Sequence, residues 1–319
     1  MVRTLAINVA VLAALSLAAL GALEGWLRLT IPASSDESIF LYTLDTPRYK
    51  LMRPRASVMA WGEELRTNDL GFRDAADSIG PKAPGEYRVV VLGDSFTVAA
   101  GVPFKDIFTQ RLQRPGYRVL NLAVGGYNIV QSALVLEEVG LALEPDLLLV
   151  ALFPDNDFEM LTYEENRAVA EGRRAPPQPA AWPWSLYAYQ AYGTRVEGRI
   201  KRLLAGPPAA GKANGWTENA RALRKIAGLA AAQGIRMAVA LLPNTWHFER
   251  QRPLFARVEA LCGELELKCT NLLERFIAAG IPESALRLNA IDSHPNARYQ
   301  AFVARELQIV LTDSPASTF

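Results

Sequence analysis

The chain is poor in the residues that staple or metallate a fold. Among 319 residues there are two cysteines, Cys262 and Cys269, and two histidines, His247 and His294. Two cysteines allow one disulfide in an oxidising compartment or two buried free thiols. With no His or carboxylate cluster near them they are too few ligands for a metal site. An excess of charge is also missing: 34 Lys and Arg stand against 33 Asp and Glu, a net of +1. No nucleic acid or acidic polymer is therefore implied as a partner. No G-x-G-x-x-G follows a strand-like run, so no dinucleotide cofactor is suggested. No G-x-S-x-G occurs, which sets aside the nucleophile elbow of the α/β-hydrolases. Gly206 to Ala213 (GPPAAGKA) has the glycine–lysine spacing of a phosphate loop. It follows no strand, contains Pro-Pro and lacks the Ser or Thr that would meet magnesium. No internal repeat is visible.

What the chain does have begins at its N-terminus. Half of all residues are apolar and 21% are charged, enough for a sizeable core. Leu5 to Leu23 (LAINVAVLAALSLAALGAL) carries no charge and follows Arg3. Its length matches the roughly 20 residues that a hydrocarbon core requires. Ala19-Leu20-Gly21 offers a signal-peptidase reading, which would release a secreted domain. The run is long for a signal, however, and passes directly into LEGWLRL, where Trp26 suits a membrane interface. The expectation is a transmembrane helix within residues 1–30, cytoplasmic N-terminus, and the remaining chain in the periplasm or outside the cell.

Residues 31–85 are rich in Pro, Ser and Asp and read as an irregular extension. From Tyr87 the pattern sharpens. Arg88–Leu92 (RVVVL), Arg118–Ala123, Leu147–Phe153 and Arg236–Leu242 are short apolar runs of the kind buried parallel strands show, with Leu267–Leu272 a weaker fifth. Helical patterns lie between them: Asp106–Leu112, Ile129–Leu143, Thr217–Gln233 with Thr217 as its cap, Pro253–Leu265 and Ala297–Leu311. Alternation of this kind predicts an α/β domain over 86–319, a three-layer α/β/α fold with a central parallel sheet and flavodoxin-like strand order. Residues 159–215 break the pattern. They hold Pro-rich stretches and the aromatics Trp182, Trp184, Tyr187, Tyr189 and Tyr192, as a lid or a peripheral elaboration would.

Ligands of an open parallel sheet bind outside the carboxyl ends of its strands. Four such ends carry reactive groups: Gly93-Asp94-Ser95 after the first strand, Asn121 to Gly126 after the second, Pro154 to Asp157 after the third, and Asp292-Ser293-His294 near the C-terminus. Each has a plainer use. Ser95 could cap the helix that follows, Asn156 could shape a turn, and His294 could cap the last helix. Asp94 and Asp157 read as structural, holding loops by bonds to backbone. His247 belongs to no such group and reads as a loop or surface residue.

Taken together, VVVLGDSFT, the N-x-x-x-x-G pattern ending at Gly126, Asn156-Asp157 and DSHPN resemble the SGNH (GDSL-type) hydrolases. The resemblance covers nearly all of residues 87–312 and matches Ser95, Gly126, Asn156 and His294 to the family's four named residues. It implies Ser95 as nucleophile, His294 as general base and Asp292 as its carboxylate. It also implies an oxyanion hole from the backbone N–H groups of Ser95 and Gly126 and the amide of Asn156. Two positions depart from the pattern. Pro154 replaces the family's third-block glycine, and Asp292 stands two residues before the histidine where three is usual, with Ile291 in the usual place. The two-residue spacing resembles the membrane-linked branch that includes polysaccharide O-acetyltransferase-like proteins. This implies an acylated saccharide or other ester as substrate, by hydrolysis or acyl transfer, with no cofactor. Two other readings compete: a lipase or thioesterase acting on lipid-derived substrates, and a glycan-binding protein without turnover.

Overall fold

The computed structural model describes residues 2–32, 37–75, 80–159, 162–177, 185–189 and 215–312. Trp182, Trp184, Tyr192 and the glycine–lysine segment 206–213 lie outside the described residues. Helix α1 (Val2–Thr30) runs for 29 residues and exposes Leu5, Leu12, Leu15 and Leu17 along its length. It is long and apolar enough to cross a bilayer. Its C-terminal end turns polar. The Glu24 carboxylate accepts the N–H groups of Tyr187 and Ala188, and Arg28 lies over the Tyr187 ring at 4.9 Å, so this end docks on residues 185–189.

The segment expected to be irregular holds two antiparallel ladders, β1 (Phe40–Tyr42) with β2 (Lys50–Met52) and β3 (Ser57–Ala60) with β4 (Glu63–Arg66). These strands are three or four residues long, too short to leave an alternating signature in sequence. The β3–β4 connection is the pair Trp61-Gly62, both at positive φ, as a two-residue hairpin turn requires.

The main sheet is wholly parallel: β5 (Tyr87–Leu92), β6 (Tyr117–Asn121), β7 (Leu147–Leu152), β8 (Arg236–Leu241) and β9 (Lys268–Asn271). Its spatial order is β6-β5-β7-β8-β9, the 2-1-3-4-5 order of a flavodoxin-like sheet. All six residues of β7 are buried, as are the last five of β5, because helices cover both faces. The covering helices are short α2 (Ser95–Val98), α3 (Phe108–Arg111), α4 (Ile129–Val135), α5 (Pro154–Glu159), α6 (Thr162–Ala170), α7 (Trp216–Ala232), α8 (Phe248–Glu264), α9 (Leu272–Ala278) and α10 (Ala297–Thr312). Helices α3 and α10 pack together, and α4 packs on α7. The three-layer expectation stands.

Three helix limits differ from the sequence pattern. Helix α7 starts at Trp216, capped by the Gly215 backbone and not by Thr217. Helix α8 starts five residues before Pro253, because the Glu283 carboxylate accepts the N–H groups of His247 and Phe248 and so fixes the first turn from outside the segment. Helix α9 takes as its first residue Leu272, the last residue of the run expected as a fifth strand. It is started by Asn271, whose side chain accepts from Leu273 and Glu274 N–H. Cys262 and Cys269 are free thiols, the first buried and the second half-buried.

Candidate active site

Strand β5 delivers the chain to Gly93, where side-chain space vanishes. A Cβ at this position would meet Thr97 Oγ1 at 2.3 Å and the Ala151 carbonyl at 3.1 Å. Only glycine allows β5 to turn into α2 this tightly. Asp94, not Ser95, caps α2: its carboxylate accepts the Phe96 N–H at 2.9 Å. The Ser95 hydroxyl is thereby left for another partner, and that partner is His294, whose Nε2 lies 2.9 Å from Ser95 Oγ. The far end of α2 is clamped by Arg73, which donates to the carbonyls of Val98, Ala99 and Val102 at 2.6–2.7 Å. Burial pulls the Arg73 guanidinium down to about 10, and Glu63 partly restores it. Replacing Arg73 by methionine strands three buried carbonyls, at a cost of about 3 kcal/mol. A fall in Tm of roughly 6–12 °C is expected by calorimetry; an unchanged Tm would show the clamp to be dispensable.

His294 sits on a loop held at several points. Its carbonyl accepts the Leu288 N–H at 2.7 Å, the Thr245 hydroxyl donates to the Ser293 carbonyl, and Asn296 caps α10 through Arg298 and Tyr299 N–H. The cap of the last helix is thus Asn296, leaving the imidazole for the cleft. Asp292 Oδ1 accepts both the backbone N–H of His294 and its Nδ1, each at 2.7 Å. That double contact is an Asx turn, and it explains how a carboxylate two residues ahead of the histidine reaches the ring. Burial pushes Asp292 up, but its bonds to His294 and to the Trp61 side chain hold the carboxyl below its ordinary range. Conversely, burial pulls His294 down, while the hydrogen bond and charge of Asp292, with Asp94 behind, bring it above its ordinary 6.5. An ionised Asp292 places the ring proton on Nδ1 and aims the Nε2 lone pair at Ser95.

Gly126 adopts φ +74°, which glycine tolerates, and lines the same cleft. Neither the Ser95 nor the Gly126 N–H donates to another described residue. Asn156 is buried and is not among the residues lining the cleft; its Nδ2 donates to Asp94 Oδ2 at 3.0 Å and to the Tyr127 carbonyl. Pro154 begins α5, where its missing N–H costs nothing. Asp157 accepts the Phe153 N–H at 2.7 Å, so Asp94 and Asp157 both tie backbone, as expected. Burial raises both carboxyls, and the Asp94 charge raises Asp157 further. His247 lies at the start of α8 and does not line the cleft.

The cleft has a volume of about 290 Å³ and gathers Ser95, Gly126, Asp292 and His294. Most of its other walls come from the N-terminal segment, through Glu37, Ile39, Phe40, Lys50, Met52, Trp61 and Leu65, with Val98, Ala100, Gly125 and Pro177 completing it. Sequence reading missed Trp61 and Lys50. Neither belongs to a motif, and only folding of the β1–β4 segment brings them to the strand ends. Among the described residues no cluster of metal-ligating side chains occurs.

No family model matches the chain, and no curated protein matches it. Among solved structures, the psychrotrophic esterase EstA of a Pseudoalteromonas species is similar at 14% identity, over 72% of this chain and 98% of that one, with a TM-score of 0.44. An acetyl xylan esterase is similar at 15% identity, over 70% and 99%, with a TM-score of 0.44. A GDSL-like lipase of Bacteroides thetaiotaomicron is similar at 14% identity, over 73% and 92%, with a TM-score of 0.42. The chemistry open to this chain is read from its own side chains. They form a hydroxyl, imidazole and carboxylate in hydrogen-bonded series beside two unengaged N–H groups, an arrangement able to activate an oxygen nucleophile against an acyl carbon.

Proposed function

We propose that the chain is a serine esterase of the SGNH (GDSL) type that cleaves or transfers short O-acyl groups, acting on an acylated saccharide at a membrane surface. The observation that carries this reading is the series Ser95 Oγ, His294 Nε2, His294 Nδ1, Asp292 Oδ1, with separations of 2.9 and 2.7 Å. In the first half-reaction Ser95 attacks the acyl carbon as His294 takes its proton. His294 then returns that proton to the departing alkoxide, and water repeats the sequence in reverse. The N–H groups of Ser95 and Gly126 face the developing oxyanion.

A short acyl group is favoured by the walls beside Ser95. Ile39, Phe40, Met52 and Val98 line a cleft near the lower end of the 300–1,000 Å³ range typical of small-molecule sites. Helix α1 is long and apolar enough for a retained anchor; Arg3 ahead of the apolar run favours an N-terminus on the inside, with the site then in the periplasm or outside the cell. Residues 86–319 then form the catalytic domain and 31–85 an N-terminal extension that contributes wall to its cleft. Proximity to a bilayer also favours a second reading, a lipase or thioesterase on lipid-derived acyl chains.

The test uses the full chain in detergent, wild type beside Ser95→Ala, on p-nitrophenyl esters of increasing acyl length. Maximal kcat/KM on the acetyl ester, lost in the variant, is the expected result. A maximum at long chains would replace the saccharide reading with the lipid one. Turnover unaffected by Ser95→Ala would contradict both.

A further inference from the structure

Lys50 is a buried cation that the hydrolytic scheme leaves without a task. Its backbone is fixed: Lys50 pairs with Tyr42 in the β1–β2 ladder, and its carbonyl accepts the Tyr127 hydroxyl. Gln131 meanwhile holds the Arg48 carbonyl at 2.7 Å, two residues earlier. The residue is 7% exposed, and its ammonium lies 3.8 Å from the Phe40 ring centroid and 5.7 Å from that of Tyr42. No carboxylate or carbonyl accepts from it among the described residues. Burial pulls the Lys50 ammonium down to about 8, and the charge of Glu37, on the turn before β1, partly restores it, so the group is a cation below that pH. A desolvated ammonium without an acceptor is costly, and aromatic faces offset only part of that cost. A desolvated ionisable group that lines a cleft is a candidate for a functional contact.

Its position says what that is. The Cβ that Gly126 lacks would stand 2.9 Å from Lys50 Nζ, so the ammonium lies against the backbone of the expected oxyanion donor, in the same cleft as Ser95 and His294. The Nδ2 of Asn156 is held by Asp94 and by the Tyr127 carbonyl. We propose that Lys50 supplies a further, charged donor to the oxyanion site, beside the Ser95 and Gly126 N–H groups; this rests on the esterase reading above. As the Ser95 Oγ–carbon bond forms and its proton passes to His294, the carbonyl π pair moves onto oxygen. That oxyanion accepts from Ser95 N–H, Gly126 N–H and Lys50 Nζ. Collapse restores the carbonyl, breaks the carbon–alkoxide bond and sends the His294 proton to the leaving oxygen. Lys50 keeps its protons throughout. Asn156 fixes Asp94 and the Tyr127 carbonyl, and so the loop that carries Gly126.

The test is Lys50→Met in the full chain in detergent, on neutral p-nitrophenyl acetate. Removing one oxyanion donor is expected to lower kcat by about 10²- to 10³-fold, with KM within about threefold and Tm within a few degrees of wild type. A second measurement needs no variant: the structure of the wild-type chain with Ser95 phosphonylated by a p-nitrophenyl methylphosphonate. The phosphonyl oxygen is expected at about 2.7–3.1 Å from Lys50 Nζ and from the Ser95 and Gly126 N–H groups, with Asn156 still on Asp94 and Tyr127. The proposal is overturned if Lys50→Met retains kcat, or if its loss lies in KM and grows for anionic esters, which would make Lys50 a substrate counter-ion. It is equally overturned if Asn156 leaves Asp94 to meet the phosphonyl oxygen while Lys50 stays away. Wild type without Ser95-dependent turnover would instead overturn the esterase reading, and this inference with it.

Discussion

Replacing His294 by alanine is expected to lower kcat/KM on a p-nitrophenyl ester by about 10⁴-fold or more while the protein stays folded. Among the described residues no other base is bonded to the Ser95 hydroxyl. Asp94 accepts the Phe96 N–H and the Asn156 amide, and Asp292 accepts the backbone N–H and Nδ1 of His294. His247, the chain's other histidine, starts α8 away from the cleft. The His294 ring lies tilted against Phe96 on a part-exposed loop, so its loss removes little core. Steady-state kinetics beside thermal unfolding checks both halves of the expectation. A loss below tenfold with an unchanged Tm would place the base elsewhere.

Replacing Asp292 by asparagine is expected to lower kcat by about 10³- to 10⁴-fold and to move the pH profile to lower pH. Both effects follow from the 2.7 Å bond to His294 Nδ1. An amide there donates to Nδ1, forces the ring proton onto Nε2 and removes the lone pair that Ser95 needs. The direction of the pH shift follows from the causes acting on His294. Burial pulls its pKa down, and the hydrogen bond and charge of Asp292 raise it above 6.5. The base works only when neutral, so wild-type kcat/KM rises with pH through that raised value. Without the carboxylate, burial prevails, the imidazole deprotonates sooner, and the rising limb moves down. A limb that stays in place would mean that the titrating group is not His294.

The main sheet was legible because its strands are buried on both faces. RVVVL and LLLVAL need no neighbour to declare themselves, and the strand ends then locate Ser95, Gly126 and His294. The two-residue spacing between Asp292 and His294 looked anomalous in sequence. The Asx turn, in which one carboxylate oxygen takes both backbone and ring N–H, accounts for it. The rest was hidden for identifiable reasons. Strands of three or four residues in β1–β4 carry too few positions for a period, so Lys50 and Trp61 could not be placed at the cleft. The α8 start depends on Glu283, a residue distant in sequence, and the orientation of Asn156 depends on Asp94 and Tyr127. Each of these is a tertiary contact that local pattern does not encode.

Ser95 as nucleophile is tested most directly by covalent trapping. The full chain in detergent is treated with a fluorophosphonate and its peptides are examined by mass spectrometry, beside Ser95→Ala and His294→Ala. The account predicts one adduct per chain on the peptide holding Gly93-Asp94-Ser95, none with Ser95→Ala, and labelling slowed by orders of magnitude with His294→Ala. An adduct on another residue, or equal labelling in the Ser95→Ala protein, would contradict it.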